Sequence, residues 1–576
     1  MNRSGNSLED ELQCLLLEKK FDNALDCLKK ADNESFVTNN VWNLINTVCL
    51  TLKTNDDLLK NDSDTESCKK LLVYLVNKGK PKEMLVALME EADSFKSHEY
   101  FSLLLEPLKE TLKKIPGKRG KSLEWILSSL NAHIQTLSVP NNLDLQDEEK
   151  LLLDVDPAVM DANYVLYNYW LFLSSFVEEV SLESISEKVV HYSDQIKHQQ
   201  DILCKYILLL FNHPLLYHDL HVPDESRPKS SIRTICDSYV KLISKMCRNV
   251  FNIFRYDENS SVDMNTKAVG DEECCVPLLA FSHLSYLMFC EKIAMDFQPL
   301  VYSHQYLFIF NLKYELPLLS KGENLVLFKG LKLARVLCDN LEEFELGDNC
   351  LELELFTKFP MTLLNIAISC PIETHRKNAV EIFLNFMSKC SWKVKYHIIM
   401  QVISNVKHSG AEGLVIGLYK NYLHDYLCEK TSNSYFFGKN LHLFLKTIFV
   451  LSDGVETDLL QNSDKILSSL NFLRYLLLKD VKENNITGVW NLSKMITDQF
   501  LEPLKTGLDL SRAHYEQAAK TFQCNQQQNK ENPEATINNS TLKNIPPEME
   551  KDMYEKALIT FDMIESILSR VTEVLN

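Results

Sequence analysis

Three histidines beside a proline come nearest, in residue type and spacing, to a metal-binding site. His213, His218 and His221 follow one another closely, and Asp219 stands between the last two. Imidazole nitrogens and carboxylate oxygens are ligands of zinc. Zinc sites usually draw their ligands from two separated groups, however, and no CxxC pair or second histidine pair accompanies this one. We therefore expect a surface or packing loop that binds no metal.

No nucleotide-binding or hydrolase signature occurs in the chain. The patterns GxxxxGK[ST], GxGxxG, HExxH and GxSxG are all absent from the sequence. Gly410, Gly413 and Gly417 are spaced along one flank of a helix, which favours close helix packing over a phosphate-binding loop. The sequence therefore predicts a protein with no catalytic residues and no cofactor.

Cysteine usage and hydropathy indicate a compartment. The 16 cysteines are scattered singly through apolar stretches, apart from adjacent Cys274 and Cys275, which is typical of reduced thiols in a cytoplasmic protein. The first residues are polar and acidic and contain no apolar signal core. No apolar run reaches the ~18 residues that span a bilayer. We expect a cytoplasmic protein that does not insert into membranes.

Composition favours an all-helical chain. Glycine accounts for only 15 of 576 residues, whereas leucine is frequent throughout, which disfavours a sheet-rich fold with glycine turns. The formal charge of −18 at pH 7 opposes general binding to nucleic acid, because phosphates would be repelled. A protein partner with a basic surface fits this charge better.

Helical patterns of roughly 12 to 20 residues follow one another with short polar breaks, which predicts paired helices stacked as a solenoid. The stretch SCPIETHRKNAVEIFLNFMSKC, starting at Ser369, places a Cys-Pro turn between two apolar helices, with Arg376 early in the second. This layout resembles a HEAT repeat, in which the arginine is expected to tie adjacent repeats together. The predicted fold is an elongated, all-α, HEAT-like or armadillo-like solenoid of helical pairs.

Polar breaks divide the chain into segments. Three helical segments are predicted, and the third is expected to be the partner-binding half: 1–137, 157–256 and 277–520. A segment rich in Asn and Gln, 521–545, is expected to be a disordered loop because it has little apolar area to offset ordering entropy. A terminal helix, 546–576, is expected to dock through Ala557, Phe561, Ile564 and Leu568 and to cap the solenoid.

The stretch GVETDLLQNSDKILSSLNFLRYLLLKD, starting at Gly454, predicts an amphipathic helix. Ile466, Leu470, Leu473 and Leu477 fall on one line, which is the expected core face. Capping oxygens are expected from Asn462, Ser463 and Asp464. Tyr475 points away from the stripe, with Arg474 on its flank and Trp490 nearby. These three residues either contact a partner or pack on the next repeat.

Residues 387–447 form a basic, aromatic segment, with eight lysines against three acidic residues. The lysines either solvate the outside of two repeats or form the rim of a partner site, since Trp392, Tyr435, Phe436 and Phe437 lie among them. Tyr419, Tyr422 and Tyr426 recur at helical spacing and are expected to pack in the core, with their hydroxyl groups at its edge.

Several stretches resemble the glomulin family: GVETDLLQNSDKILSSLNFLRYLLLKD, TGVWNL, FLEPLKTGLDLSRAHYE, NIPPEMEKDMYEKALITFDMIESILSRV, SCPIETHRK, VNKGKPKEMLVALME and VWNLINTVCLTL. The resemblance covers most of the chain and is densest from about Phe359 onward. It implies a HEAT-like, non-catalytic inhibitor of cullin–RING ubiquitin ligases. The carboxy-terminal half would bind the RING-box subunit, and through it the cullin, and would mask the surface that receives the ubiquitin-conjugating enzyme. An immunophilin of the FK506-binding class is implied as a second partner.

Eight residues are our predicted partner contacts: Arg474, Tyr475, Trp490, Lys420, Lys430, Phe436, Arg512 and His514. The chain is expected to be a monomer on its own. The alternative function is a general HEAT-repeat scaffold without effect on ubiquitin transfer.

Overall fold

The computed structural model describes most of the chain. The described residues are 5–55, 58–59, 61–92, 97–116, 119–140, 155–182, 194–219, 230–247, 249, 251–254, 276–293, 303–428, 434–451, 453–480, 482–531 and 547–575. They divide into two compact units, Met1–Leu337 and Cys338–Asn576. The division lies inside the third predicted segment, 277–520.

The first unit is a succession of helices. In chain order they are α1 (Gly5–Leu17), α2 (Phe21–Lys29), α3 (Glu34–Asn39), α4 (Val41–Thr54), α5 (Asp62–Lys78), α6 (Pro81–Ala92), α7 (His98–Lys113), α8 (Arg119–Ile134), α9 (Pro157–Glu179), α10 (Asp194–Asn212), α11 (Leu215–His218), α12 (Ser231–Met246), α13 (Leu278–Ser285), α14 (His304–Leu319) and α15 (Asn324–Asp339), which contains the boundary between the units.

Neighbouring helices of this unit pack through leucine-rich faces. Helix α7 packs against α5, α6 and α9, and α13 packs against α10 and α14. Local signals set where several helices begin. Ser97 Oγ accepts a hydrogen bond from Tyr100 N at the start of α7, and Asp156 Oδ1 accepts from Ala158 N at the start of α9. Such caps satisfy N–H groups that lack partners within the helix.

The second unit continues the same construction. Its further helices are α16 (Glu354–Ser369), α17 (Glu373–Lys389), α18 (Trp392–Asn405), α19 (Ser409–Leu427), α20 (Lys439–Ile448), α21 (Ser463–Lys479), α22 (Ser493–Ile496), α23 (Glu502–Glu531) and α24 (Pro547–Leu575). The pairs α16–α17, α18–α19, α19–α21, α21–α24 and α23–α24 are packed together. The prediction of an all-α fold built from helical pairs is confirmed.

The predicted HEAT-like pair is α16 and α17, joined at Cys370 and Pro371. Arg376 differs from the expectation. Its Nη1 donates to the carbonyl oxygens of Cys370 (2.8 Å) and Pro371 (2.9 Å), so the guanidinium closes the turn of its own pair. The described contacts of this arginine therefore hold one helical hairpin together, not two adjacent repeats.

Helix α21 has the predicted bounds and core stripe. Ile466, Leu470, Leu473 and Leu477 are all buried. The expected caps are wrong, because Asn462 at the helix start makes no side-chain cap hydrogen bond. Ser409 Oγ at the start of α19 accepts from Lys465 N instead, at 3.0 Å.

The carboxy-terminal helices correct one expectation and confirm another. A π-helical turn, Thr497–Leu501, runs directly into α23, so Pro503 lies inside a continuous helical stretch next to the π-turn. Helix α23 continues to Glu531, so the first part of the predicted loop 521–545 is helical, and the part from 532 onward lies outside the described residues. The stripe of α24 is buried as predicted at Ala557, Phe561, Ile564 and Leu568.

Extended pairing is almost absent from the described part of the chain, where Leu346 and Cys390 form an isolated parallel bridge. None of the helices in this part is both long enough and apolar enough to span a membrane.

Candidate functional site

Tyr475 lies between two helices and is half-buried. Its hydroxyl lies 2.9 Å from Nδ1 of His424 on α19, and the two rings are 5.7 Å apart, edge to face. Cys428 Sγ lies 3.6 Å from Nε2 of the same histidine. Burial raises the pKa of Tyr475. The tyrosine that was expected to point outward therefore packs partly on α19.

Two cations lie beside this contact. Arg474 is half-buried and forms no hydrogen bond or ion pair with the described residues. Lys420 lies one helical turn before His424 on α19, so both occupy the same side of that helix. We call Lys420, His424, Arg474 and Tyr475 the α19–α21 edge. His424 and Tyr475 are in direct contact there, and of these four residues only His424 was not predicted from the sequence.

Close backbone approach explains how α19 and α21 pair. A Cβ added at Gly413 would lie 3.0 Å from the carbonyl oxygen of Asp464, so only glycine fits there without displacement. Lys465 Nζ contacts Glu412 Oε1 at 2.8 Å beside this point. The predicted close packing is thus confirmed at Gly413, whereas Gly417 faces open space.

Phe436 is buried, with 1% of its surface exposed. Its ring lies 4.9 Å from Tyr419 and 5.1 Å from Tyr422. Tyr419 is also buried, and its hydroxyl donates to the Phe436 carbonyl at 3.2 Å. The expectation that Phe436 belongs to an exposed rim is therefore wrong, because the aromatic residues pack on one another instead of facing a partner.

Trp490 fixes the segment that follows α21. Its indole Nε1 donates to the Asp480 carbonyl at 2.6 Å, and its ring lies 5.6 Å from Lys482 Nζ. Asp480 Oδ2 in turn accepts from the backbone N–H and the hydroxyl of Thr487, both at 2.6 Å. Trp490 is thus tied into a turn, and its role as a partner contact stays a prediction.

Arg512 joins two helices. Its guanidinium contacts Asp562 Oδ1 and Glu565 Oε2 of α24, each at 2.7 Å. Hydrogen bonding to Asp562 raises the pKa of Arg512. His514 is exposed on α23, beside the ring of Tyr515. Their partner contacts stay predictions, and Lys430 lies outside the described residues.

One lysine of the basic segment is enclosed by aromatic rings. Lys395 Nζ lies 4.0 Å from the ring centre of Phe344, 4.5 Å from Trp392 and 5.2 Å from Tyr422. Cation–π attraction compensates part of the lost hydration. Burial lowers the pKa of Lys395 to about 8. We call these four residues the Lys395 cage, which the lysine count could not have distinguished from a surface rim.

The histidine group contains no assembled metal site in the part that the structure describes. His213 Nε2 lies 3.2 Å from the Leu137 carbonyl oxygen, and both nitrogens of buried His218 lie 2.8 Å from carbonyl oxygens. His221 lies outside the described residues. Asp219 forms a bidentate ion pair with Arg233, whose Nε and Nη2 donate to its two carboxylate oxygens at 2.9 Å each.

Asp219 belongs to a buried ionic cluster that no sequence pattern indicated. His283 Nε2 lies 3.2 Å and Lys329 Nζ 3.8 Å from Asp219 Oδ2. Arg233 continues to Glu291, which also contacts Lys332. Burial alone would raise the pKa of Asp219, but the cations Lys329 and Arg233 hold it below its usual range. Burial lowers the pKa of Lys329 to about 8.

What the candidate sites can do follows from their chemistry. The ionic cluster is enclosed and its carboxylates are neutralised by cations, so removal of one member would leave an uncompensated buried charge. The α19–α21 edge offers an arginine and a tyrosine, residue types that are enriched in protein interfaces, together with a lysine on the neighbouring helix. His424 and Cys428 could have been found only from their spacing of one helical turn, which by itself is not specific.

Comparisons with known proteins agree on the family. A family model described as an uncharacterised protein family, YAP/Alf4/glomulin, matches residues 9–298 and 323–548. Mouse glomulin is 31% identical over 557 residues, covering 96% of this chain and 90% of the mouse protein. Human glomulin is 30% identical over 558 residues, with 96% and 90% covered. Since the matches run through both units, the chain belongs to the YAP/Alf4/glomulin family.

Proposed function

We propose that this protein inhibits cullin–RING ubiquitin ligases without catalysing a reaction. It would bind the RING-box subunit and cover the surface that receives the ubiquitin-conjugating enzyme. Inhibition would be steric and stoichiometric. The observation that carries the proposal is the 31% identity with glomulin over 96% of the chain, together with the ligase inhibition that the resemblance to this family implies.

The α19–α21 edge supports a place for this contact. Arg474 and Lys420 make no ion pairs with described residues, so their charges are available to acidic groups of a partner. Tyr475 is held in position by His424, and an ordered aromatic side chain loses little conformational entropy on binding. Charged groups of this kind affect the rate and specificity of association more than the affinity.

The deciding experiment measures ubiquitin-chain formation by a reconstituted cullin–RING ligase with increasing amounts of the full chain. We expect chain formation to stop near a one-to-one ratio with the RING-box subunit. Raising the concentration of the ubiquitin-conjugating enzyme should shift the inhibition curve to higher inhibitor, because the two proteins would compete for one surface. Undiminished chain formation at a large excess would favour the general scaffold.

Charge-reversal variants then test the edge. Lys420→Glu together with Arg474→Glu should weaken RING-box binding at least tenfold. Lys377→Glu is the matched control, since Lys377 is an exposed cation of α17 in the same unit and pairs with Glu373 of its own helix. Equal binding by both variants would place the RING-box contact elsewhere.

An FK506-binding immunophilin is proposed as a second partner class, to be tested by direct binding.

A further inference from the structure

Three helices of the first unit enclose an open cavity. The cavity lies between α5, α7 and α9 and has a volume of about 330 Å³, which is within the range of ligand sites. Its apolar lining includes Val73, Leu105, Leu171 and Phe172. Leu105 and Phe172 are buried, whereas Leu171 is 44% exposed at the mouth. A side chain of another molecule could therefore enter without displacing the core.

A buried hydroxyl in the cavity lacks a partner. Ser102 on α7 lines the cavity and is 2% exposed, yet its Oγ makes no hydrogen bond. On the same helix, Thr111 Oγ1 donates to the Pro107 carbonyl at 2.8 Å, which is the usual solution for a helical hydroxyl. An unpaired buried hydroxyl is unfavourable, and a polar group of a ligand would satisfy it.

The charges at the cavity leave two ammonium groups free. Glu106 and Glu110 line it, but each is paired with a lysine of its own helix, at 2.5 and 2.9 Å. Lys69 and Lys70 on α5 form no ion pairs with described residues, and neither does Glu66. Two free ammonium groups against one free carboxylate leave one net positive charge at the cavity, inside a chain whose net charge is −18. This favours an acidic ligand.

An apolar stripe leads along α9 to the cavity mouth. Met160, Tyr164, Tyr167 and Leu171 follow helical spacing, and all four are exposed, by 37% to 57%. At about 1.5 Å per residue, the stripe is roughly 16 Å long. Large apolar side chains lined up at the surface usually mark a contact with another molecule.

We propose that the groove formed by the α9 stripe and this cavity binds an acidic, amphipathic helical segment of a protein partner. The apolar face of the segment lies along the stripe and places one leucine-sized or aromatic side chain in the cavity. An aspartate or glutamate at the end of the segment meets Lys69 and Lys70, and it accepts from Ser102 once that hydroxyl rotates towards the cavity. Helix-in-groove recognition uses apolar anchors at helical spacing, and a carboxylate that meets ammonium groups adds charge-assisted hydrogen bonds. The inference does not depend on ligase inhibition.

A random 16-residue peptide library displayed on phage and selected on the full chain supplies the probe. Selected peptides should be rich in Asp or Glu and in Leu or Phe. As synthetic fluorescent peptides, they should bind Lys69→Glu/Lys70→Glu and Leu171→Glu at least tenfold more weakly in anisotropy titrations. Lys82→Glu and Val86→Glu on α6 are matched exposed controls and should bind within twofold of the unchanged chain.

Four results would overturn the proposal. They are a selection without any peptide that binds in solution, peptides rich in Lys and Arg, equal binding by groove and control variants, and a dimer of the chain that only groove variants dissociate. The last result would assign the groove to a second copy of the chain. Circular dichroism of each variant verifies the fold, which surface substitutions should preserve.

Discussion

At the scale of single residues, the side chain of Tyr475 is partly packed against a neighbouring helix and partly exposed to solvent. Its ring and hydroxyl contact His424, while part of the side chain remains accessible. Replacing it with alanine would remove surface and also open a gap between α19 and α21, so a loss of binding in that variant would be ambiguous. Arg474, which has no polar partner among the described residues, separates the two effects.

We expect Arg474→Ala to weaken RING-box binding by about 2 kcal/mol, as for a modest hot spot. Its unfolding free energy should change by less than about 0.5 kcal/mol, because the substitution leaves no cavity. Tyr475→Ala should lower both quantities. Binding isotherms and denaturant titrations of the same samples provide the measurement.

Leu473→Ala is the internal control for this series. Leu473 is fully buried, so truncation should destabilise the protein by roughly 2 to 5 kcal/mol whatever the edge binds. A stable Arg474→Ala variant with undiminished affinity would remove Arg474 from the contact.

Lys395 provides a pH prediction. Its pKa is about 8 in the folded protein, against about 10.5 when unfolded. Between these values the unfolded chain binds more protons, so stability relative to Lys395→Met should rise with pH. We expect a relative gain on the order of 1–2 kcal/mol between pH 7.5 and 9.5. Denaturant titrations of both proteins measure it.

The comparison with Lys395→Met removes contributions that the two proteins share, such as those of Lys329 and the buried tyrosines. Methionine matches the shape of lysine and packs well on aromatic rings. A pH-independent difference would mean that the ammonium is as well stabilised in the cage as in water.

At the scale of elements, α24 is held by two different interactions. Its apolar stripe packs on α21 and α23, while Arg512 of α23 pairs with Asp562 and Glu565 at the surface. The stripe should matter far more, because exposed ion pairs compete with water and with the entropy of two long side chains.

We therefore expect Phe561→Ala to destabilise the protein by about 3 to 5 kcal/mol, since Phe561 is 1% exposed. Arg512→Ala should cost at most about 1 kcal/mol. Chemical denaturation followed by circular dichroism measures both. Equal losses would show that the ion pairs, not the apolar stripe, hold α24 in place.

Helical periodicity predicted where helices begin and end, but it did not predict which residues of other helices they contact. The bounds of α21 and α24 follow from where apolar spacing starts and stops, which is local information. The cap of α21 comes from Ser409, and the outer face of Tyr475 is covered by His424, more than fifty positions away in sequence. Which neighbouring element covers a helix depends on tertiary packing. The sequence pattern of a single helix carries no information about it.

At the scale of the whole molecule, the chain contains two compact units, each with its own apolar core. We expect two calorimetric transitions, because separate cores can unfold independently. Phe561→Ala should shift the transition of the unit that contains α24 and leave the other in place. Leu166→Ala, in the buried face of α9, should do the reverse.

A single transition shifted equally by both variants would show that the units unfold cooperatively.

Packing across the whole molecule also explains why the candidate site was only partly predicted. Lysines and aromatic residues of 387–447 looked equivalent in sequence, but Phe436 and Lys395 are in the interior while Lys420 is half-buried. Net charge and composition average over this difference, which only three-dimensional packing creates.

The Lys395 cage also has a consequence for chemical footprinting. Phe344, held in a left-handed backbone conformation at φ 62°, covers the outer side of the amine. Acylating reagents should modify exposed Lys393 quickly and leave Lys395 untouched, although the lowered pKa makes its free amine more abundant at mild alkaline pH. Labelling of Lys395 would then proceed only when the ring swings aside. The labelling rate of Lys395 would then measure how often the Lys395 cage opens.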